Sequence, residues 1–262
     1  MRILVTNDDG IEASGLITLA SMLAEAHEVY VVAPDRERSA TGHAITMHKP
    51  IYPKPVAWSS QVASVWKVNG TPADCVKLGV EALLPEPPEM ICSGINHGSN
   101  LGRDVFYSGT VSAAMEGMFL GVASMALSAK SFDLDSLQWI AQFMRQWVGS
   151  SLFHKPLAGE FFNINFPDLV QQKPSQLVWV GLGHREYRDE FHRYQNPRGE
   201  TYFWLSGQPW DRLDGVASDV SELESGHITA TPLNMDVTAR DRLSELPGVD
   251  LTTTSVGADS TG

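Results

Sequence analysis

Asp8 and Asp9 stand side by side in Asn7-Asp8-Asp9-Gly10, directly behind the short apolar run Ile3-Leu4-Val5, and no basic residue shares their turn. Adjacent carboxylates repel, and burial increases the cost. A divalent cation removes it. Ser39 follows a second β-branched run, Val29-Tyr30-Val31-Val32, and Asn96 lies in the loop after a third, Met90-Ile91-Cys92. Carboxylate, hydroxyl and amide oxygens, with neither a cysteine nor a histidine cluster among them, suit a hard ion such as Mg²⁺ or Mn²⁺ better than Zn²⁺. Asn-Asp-Asp-Gly is also ordinary turn and helix-capping chemistry. Its place at a strand end, with Ser39 and Asn96 at equivalent ends, favours the cation.

A second constellation is Tyr107-Ser108-Gly109-Thr110-Val111. Ser108 or Thr110 can cap a helix whose first turn is built from small residues, which leaves backbone N–H groups free to hold an anion with help from the helix dipole. Capping alone explains the same residues. The loop before it carries Gly94, Gly98 and Gly102, which permit close backbone approach to a ligand. His43 and His97 fall in polar loops, where each is a candidate proton carrier or a solvated loop residue. No G-x-G-x-x-G follows the first strand and no G-x-x-x-x-G-K-[ST] or G-x-S-x-G occurs, so the dinucleotide, P-loop and serine-hydrolase fingerprints are missing. Neither Cys75 nor Cys92 opens a Cys-x₅-Arg loop, and two such cysteines read as buried hydrophobes.

Oxygen donors from separate segments meet on one edge only if their strands run parallel, because ligands bind outside the carboxyl ends of an open sheet. The first half of the chain has that pattern. Helical spacing of Leu16, Leu19, Ala20, Leu23 and Ala24 places a helix from Ser14, and Val111, Ala114, Met115, Met118 and Phe119 place another from Thr110 with those residues inward. Val122 to Leu127 and Phe161 to Phe166 read as further strands, and Asp133 caps a helix carrying Leu137, Ile140, Ala141, Met144 and Trp147. Leu177-Val178-Trp179-Val180 and Tyr202-Phe203-Trp204-Leu205 flank a polar, aromatic stretch with a turn at 195–199, an extended hairpin whose aromatics exceed what it can bury alone and so imply a subunit contact. The expectation is a Rossmann-like α/β fold, a mostly parallel sheet with helices on both faces. One domain over 1–246 has its core at about 1–180, an oligomerisation arm at about 181–246 and a frayed tail at 247–262.

With 262 residues, 43% hydrophobic and a net charge of −12, the chain can bury a large core and repels long nucleic acid. No stretch reaches the roughly 18 apolar residues of a membrane span, and no signal-peptide pattern opens the chain, which makes the cytoplasm the expected location.

The order and spacing of Asn7-Asp8-Asp9-Gly10, Ala33-Pro34-Asp35-Arg36 leading to Ser39, Gly70-Thr71-Pro72-Ala73-Asp74-Cys75, Ser93-Gly94-Ile95-Asn96 with Gly98 and Asn100, and Tyr107-Ser108-Gly109-Thr110-Val111 resemble the SurE (survival protein E) family of metal-dependent nucleotidases. The likeness is dense over 1–125 and continues through Asn163-Ile164-Asn165-Phe166-Pro167, Asp219 and Gly226-His227-Ile228-Thr229-Ala230-Thr231-Pro232-Leu233. It implies one divalent metal per subunit, held by Asp8, Asp9, Ser39 and Asn96, and hydrolysis of nucleoside 5′- and 3′-monophosphates and, in some members, short polyphosphate. It also implies dimers or tetramers that exchange C-terminal segments. His43 and His97 replace the small or amide residues more usual at those loop positions, and 184–215 carries no family motif.

Together these readings give a phosphomonoesterase in which Asp8 and Asp9 are catalytic, with attack by water or directly by an aspartate. Asn96, Gly98, Asn100, Ser108, Gly109 and Thr110 would hold the phosphate. The rivals are a non-catalytic metal-dependent nucleotide sensor, since holding a phosphate and cleaving it need the same groups, and a structural oligomer whose polar loops are only turns.

Overall fold

The computed structural model describes residues 1–58, 61–170, 173–213 and 215–246. The expected tail at 247–262 lies outside the described residues. The main sheet contains β1 (Arg2–Thr6), β2 (Glu28–Pro34), β3 (Pro53–Pro55), β4 (Ser64–Val68), β5 (Met90–His97), β6 (Ala123–Ala129), β7 (Phe161–Phe166), β8 (Leu177–Trp179) and β11 (Ile228–Leu233), in the spatial order β3-β4-β2-β1-β5-β6-β7-β11-β8. From β4 to β7 every neighbouring pair is parallel, while β3 and β11 run antiparallel to β4 and β7.

Strand alternation explains why these runs read as continuously apolar. Ile3 and Val5 of β1 join a core with helices α1 (Ser14–Ala24) and α4 (Leu134–Val148), whereas Leu4 between them packs on the opposite face with α2 (Pro72–Leu78) and α3 (Gly109–Phe119). A strand covered on both sides needs apolar residues at every position. Asp133 caps α4 as its sequence suggests, accepting from the Ser136 amide at 3.0 Å.

Three segments differ from their sequence reading. Phe119, expected inside, is the last residue of α3; it is exposed and stacks on the His43 ring. Leu177–Trp179 is no hairpin strand: β8 pairs with β11 on the outer edge of the main sheet. The hairpin is instead β9 (His184–Gln195) against β10 (Thr201–Arg212), twelve residues each, closed by a turn in which Asn196 N–H donates to the Glu200 carbonyl. Phe191, Tyr194, Tyr202, Phe203 and Trp204 lie exposed along it. The chain then forms α5 (Asp219–Glu224), returns to the sheet as β11 and ends its described part with α6 (Arg240–Leu243). Third, Asn96 belongs to β5 rather than to the loop beyond it. The β5–β6 register slips by one residue between Ser93 and Asn96, the mark of a bulge, and this carries Asn96 opposite Ser128. Gly94 makes the slip feasible, since a Cβ there would lie 2.3 Å from the Leu127 carbonyl oxygen. Among the described residues, no helix is long and apolar enough to cross a membrane.

Candidate functional site

The sheet order reverses at β1, whose neighbours are β2 on one side and β5 on the other. Crevices open at such switch points beyond the strands' carboxyl ends. Asp8 and Asp9 follow β1 there, and Asn96, one residue before the end of β5, lines the same cavity as Asp8. The loop after β2 is tied to the same place: the Arg38 N–H donates to the Asp8 carbonyl at 2.7 Å, which fixes neighbouring Ser39. Gly10, at φ +100°, lets the two loops touch, because a Cβ there would come within 3.0 Å of the Arg36 backbone.

These loops surround a cavity of about 370 Å³ whose wall includes Asp8, Ser39, Asn96, Gly98, Asn100 and Ser108. Six of the residues expected from the sequence therefore meet. Asp9, Gly109 and Thr110 do not reach the wall. Thr110 is fully buried, and its hydroxyl donates to Asp8 Oδ1; a Cβ on Gly109 would sit 2.7 Å from Asp8 Cβ. The start of α3 thus serves a carboxylate of the protein itself, with the Gly109 and Thr110 amides holding the Asp8 charge. Ser108 both caps α3, accepting from the Val111 amide at 3.1 Å, and lines the cavity.

Electrostatics single out Asp9. Burial, with Asp8 adding like charge, pushes its carboxyl up to about 6, opposed by the His97 amide; burial also raises Asp8. Asp9 Oδ2 is buried without a hydrogen-bond partner. An acceptor-only oxygen left alone beside a second carboxylate is costly unless a cation joins it. The neighbouring donors are suitably free: Ser39 spends its proton on Glu37 at 2.7 Å, leaving its lone pairs, and Asn96 spends its NH₂ on the Gly98 carbonyl at 2.7 Å, leaving its amide oxygen. Among the described residues no three His, Cys, Asp or Glu side chains cluster, so a cation here would take two carboxylates and neutral oxygens.

The two histidines part ways. His43 pairs with Glu116 at 2.8 Å and lies outside the cavity wall. His97 lines the wall with its ring stacked on Phe132, centroids 4.7 Å apart. Asn100 is held from all sides: its N–H donates to Asn165, its NH₂ to Ser128, and its carbonyl accepts from Asn163 and Asn165.

Sequence reasoning missed Ala40, Ser99, Asp104, Tyr107 and Tyr187, which complete the wall. Tyr187 comes from β9, and its hydroxyl donates to Asp104 at 2.7 Å. Behind it Arg185 joins Asp104 at 3.2 Å and Asp211 at 2.7 Å. No local motif announces these residues, because they meet across 81 to 83 positions.

A family model described as "Survival protein SurE" matches residues 3–189. A protein of Pelotomaculum thermopropionicum named 5′-nucleotidase SurE is 46% identical over 242 residues, covering 91% of each chain. One of the same name from Heliobacterium modesticaldum is 42% identical over 246 residues, covering 94% of this chain and 90% of its own. The crystal structure of the SurE protein from Aquifex aeolicus superposes with a TM-score of 0.77 at 33% identity, covering 94% of this chain and 98% of that one. With its strand-end carboxylate pair, its β-bulged Asn96 and these relatives across nearly its whole length, the chain belongs to the survival protein SurE family.

Proposed function

We propose that this protein is a divalent-metal-dependent phosphomonoesterase that hydrolyses nucleoside 5′-monophosphates, and by the same chemistry 3′-monophosphates and short polyphosphate, to release phosphate. The observation that carries the reading is the partnerless, buried Oδ2 of Asp9, adjacent in the chain to Asp8, which lines the cavity. The activity named for the relatives supports the substrate class. Asp8, Asp9, Ser39 and Asn96 would hold one Mg²⁺ or Mn²⁺ per subunit. When bound, such an ion supplies the positive charge that an acidic site lacks toward a phosphoryl group. Thr110 and the α3 amides keep Asp8 fixed, so Asp9 is the carboxylate able to orient a water for attack. Ser99, Asn100 and the capping Ser108 place polar groups along the same wall for the phosphate oxygens. The exposed aromatics of β9 and β10 would be covered by a second copy in a dimer or tetramer with exchanged C-terminal segments.

The deciding experiment is phosphate release from AMP with Mg²⁺ or Mn²⁺ and with EDTA. Release that needs the dication supports hydrolysis; calorimetric binding of AMP without release supports the sensor and overturns this reading.

A pH dependence follows. Asp9 must lose its proton to accept the ion, and its folded-state carboxyl titrates at about 6, above the unfolded value, so the metal-free fold loses stability as pH rises from about 4 through 6. Added Mn²⁺ should therefore raise the melting temperature more at pH 7.5 than at pH 5, where one unit of proton competition weakens affinity about tenfold. Equal increments at both values would count against Asp9 as a ligand.

A further inference from the structure

The wall of the cavity divides by chemistry. Asp8, Ser39 and Asn96 face the phosphoryl chemistry described above, and Asp104 is already committed to Tyr187, Arg185 and the Leu101 amide. The His97 ring is stacked on Phe132. What is left of the wall with a large apolar surface is Tyr107, 63% exposed, and the half-buried Tyr187. A nucleoside monophosphate has one end that needs charge and one that needs a flat apolar partner. Resting on the phosphomonoesterase reading, we infer that Tyr187, with Tyr107 beside it, binds the nucleoside end of the substrate, so that the root of the β9–β10 arm sets substrate selectivity.

Tyr187 is built to hold a fixed position. Its hydroxyl is tied to Asp104, and the Arg103 guanidinium lies 5.4 Å from its ring centroid, a cation–π contact that leaves positive charge at the rim of an otherwise acidic site. Arg185, two residues earlier, is a positioning residue: it grips the same Asp104 from one side and Asp211 of β10 from the other. Asp219 completes the fixture, accepting from the Gly102 amide at 2.9 Å and the Gly183 amide at 2.6 Å, and thereby joins the turn before Tyr107 to the start of β9. A ring so restrained loses little freedom when a base stacks on it.

The test compares AMP with glycerol 2-phosphate, an ester with no ring in its leaving group, and titrates adenosine, which has no phosphate, by calorimetry in EDTA. Tyr187→Ala should lower the ratio of kcat/KM for AMP to that for glycerol 2-phosphate about tenfold, the size of one base–aromatic stack, chiefly through KM, and should weaken adenosine to the same degree. Tyr187→Leu, which fills the space without a ring, should do the same should the alanine variant unfold, and Tyr187→Phe should restore most of the ratio. An unchanged ratio in the first two variants overturns the inference. If wild type releases no phosphate from either ester, the hydrolytic reading fails by itself; adenosine then decides alone, and equal affinity in Tyr187→Leu, or none in wild type, overturns the role of Tyr187.

Discussion

Asp8→Asn should lower dication-dependent phosphate release by about a thousandfold while leaving the fold intact. Asparagine keeps the shape of the side chain and an oxygen that can accept from Thr110, so the packing between the β1 loop and α3 survives. What goes is one negative charge out of the two that a cation needs. The stability change has a definite sign. Burial raises the Asp8 carboxyl above its ordinary value, which means that near pH 7 its ionised form is held against a penalty in the metal-free fold. Removing that charge should leave the metal-free melting temperature equal to or above that of wild type. The rise in melting temperature on adding Mn²⁺ should shrink or vanish at the same time. Three readings thus move apart in a direction that simple misfolding does not produce: rate down, metal response down, metal-free stability kept. Wild-type turnover in this variant would end the assignment of Asp8, and loss of cooperative unfolding would mean that its role is structural.

The parts of the site that could be read from the residues alone are those lying where an apolar run stops. Asp8, Asp9 and Ser39 follow β-branched stretches, and parallel strands carry all such endings to one edge. Asn96 shows where that logic loosens. The apolar run ends at Cys92, yet the strand continues to His97 through a bulge, because Gly94 accepts a conformation that any side chain would block. Thr110 shows a different limit. A small polar residue at a helix start looks the same whether it awaits a ligand or a neighbouring carboxylate, and only the approach of β1 to α3 decides for Asp8. The hairpin aromatics signalled an extended arm, but period-2 patterning fades in strands exposed on both faces, so its borders slid from Leu177 to His184. The short edge strand β3 and its partner β4 carry lysines and prolines that hide a strand pattern, and went unread.

Arg185→Met should destabilise the protein by roughly 3 kcal/mol, the low end of the range for removing one partner of a buried ion pair. The Arg185 side chain is 9% exposed, and it bridges Asp104 at 10% and Asp211 at 23%. Methionine matches much of the aliphatic length and supplies none of the charge, so two carboxylates would be left facing each other across a site closed to most solvent. Because Asp211 keeps some contact with water, part of its penalty is screened, which is why the lower figure applies. Denaturant unfolding of the two proteins measures the difference directly, provided the slope of the transition is unchanged. Asp104→Asn offers the second leg of a double-mutant cycle. If Arg185 acts by neutralising Asp104, the double variant should be less unstable than the sum of the single ones, since the charge that methionine strands is no longer there. Strict additivity, or a single-variant loss under 1 kcal/mol, would show that the arm is held at its root by the Asp219 staple and backbone pairing instead, and that Asp104 stands in the cavity wall without needing Arg185 behind it.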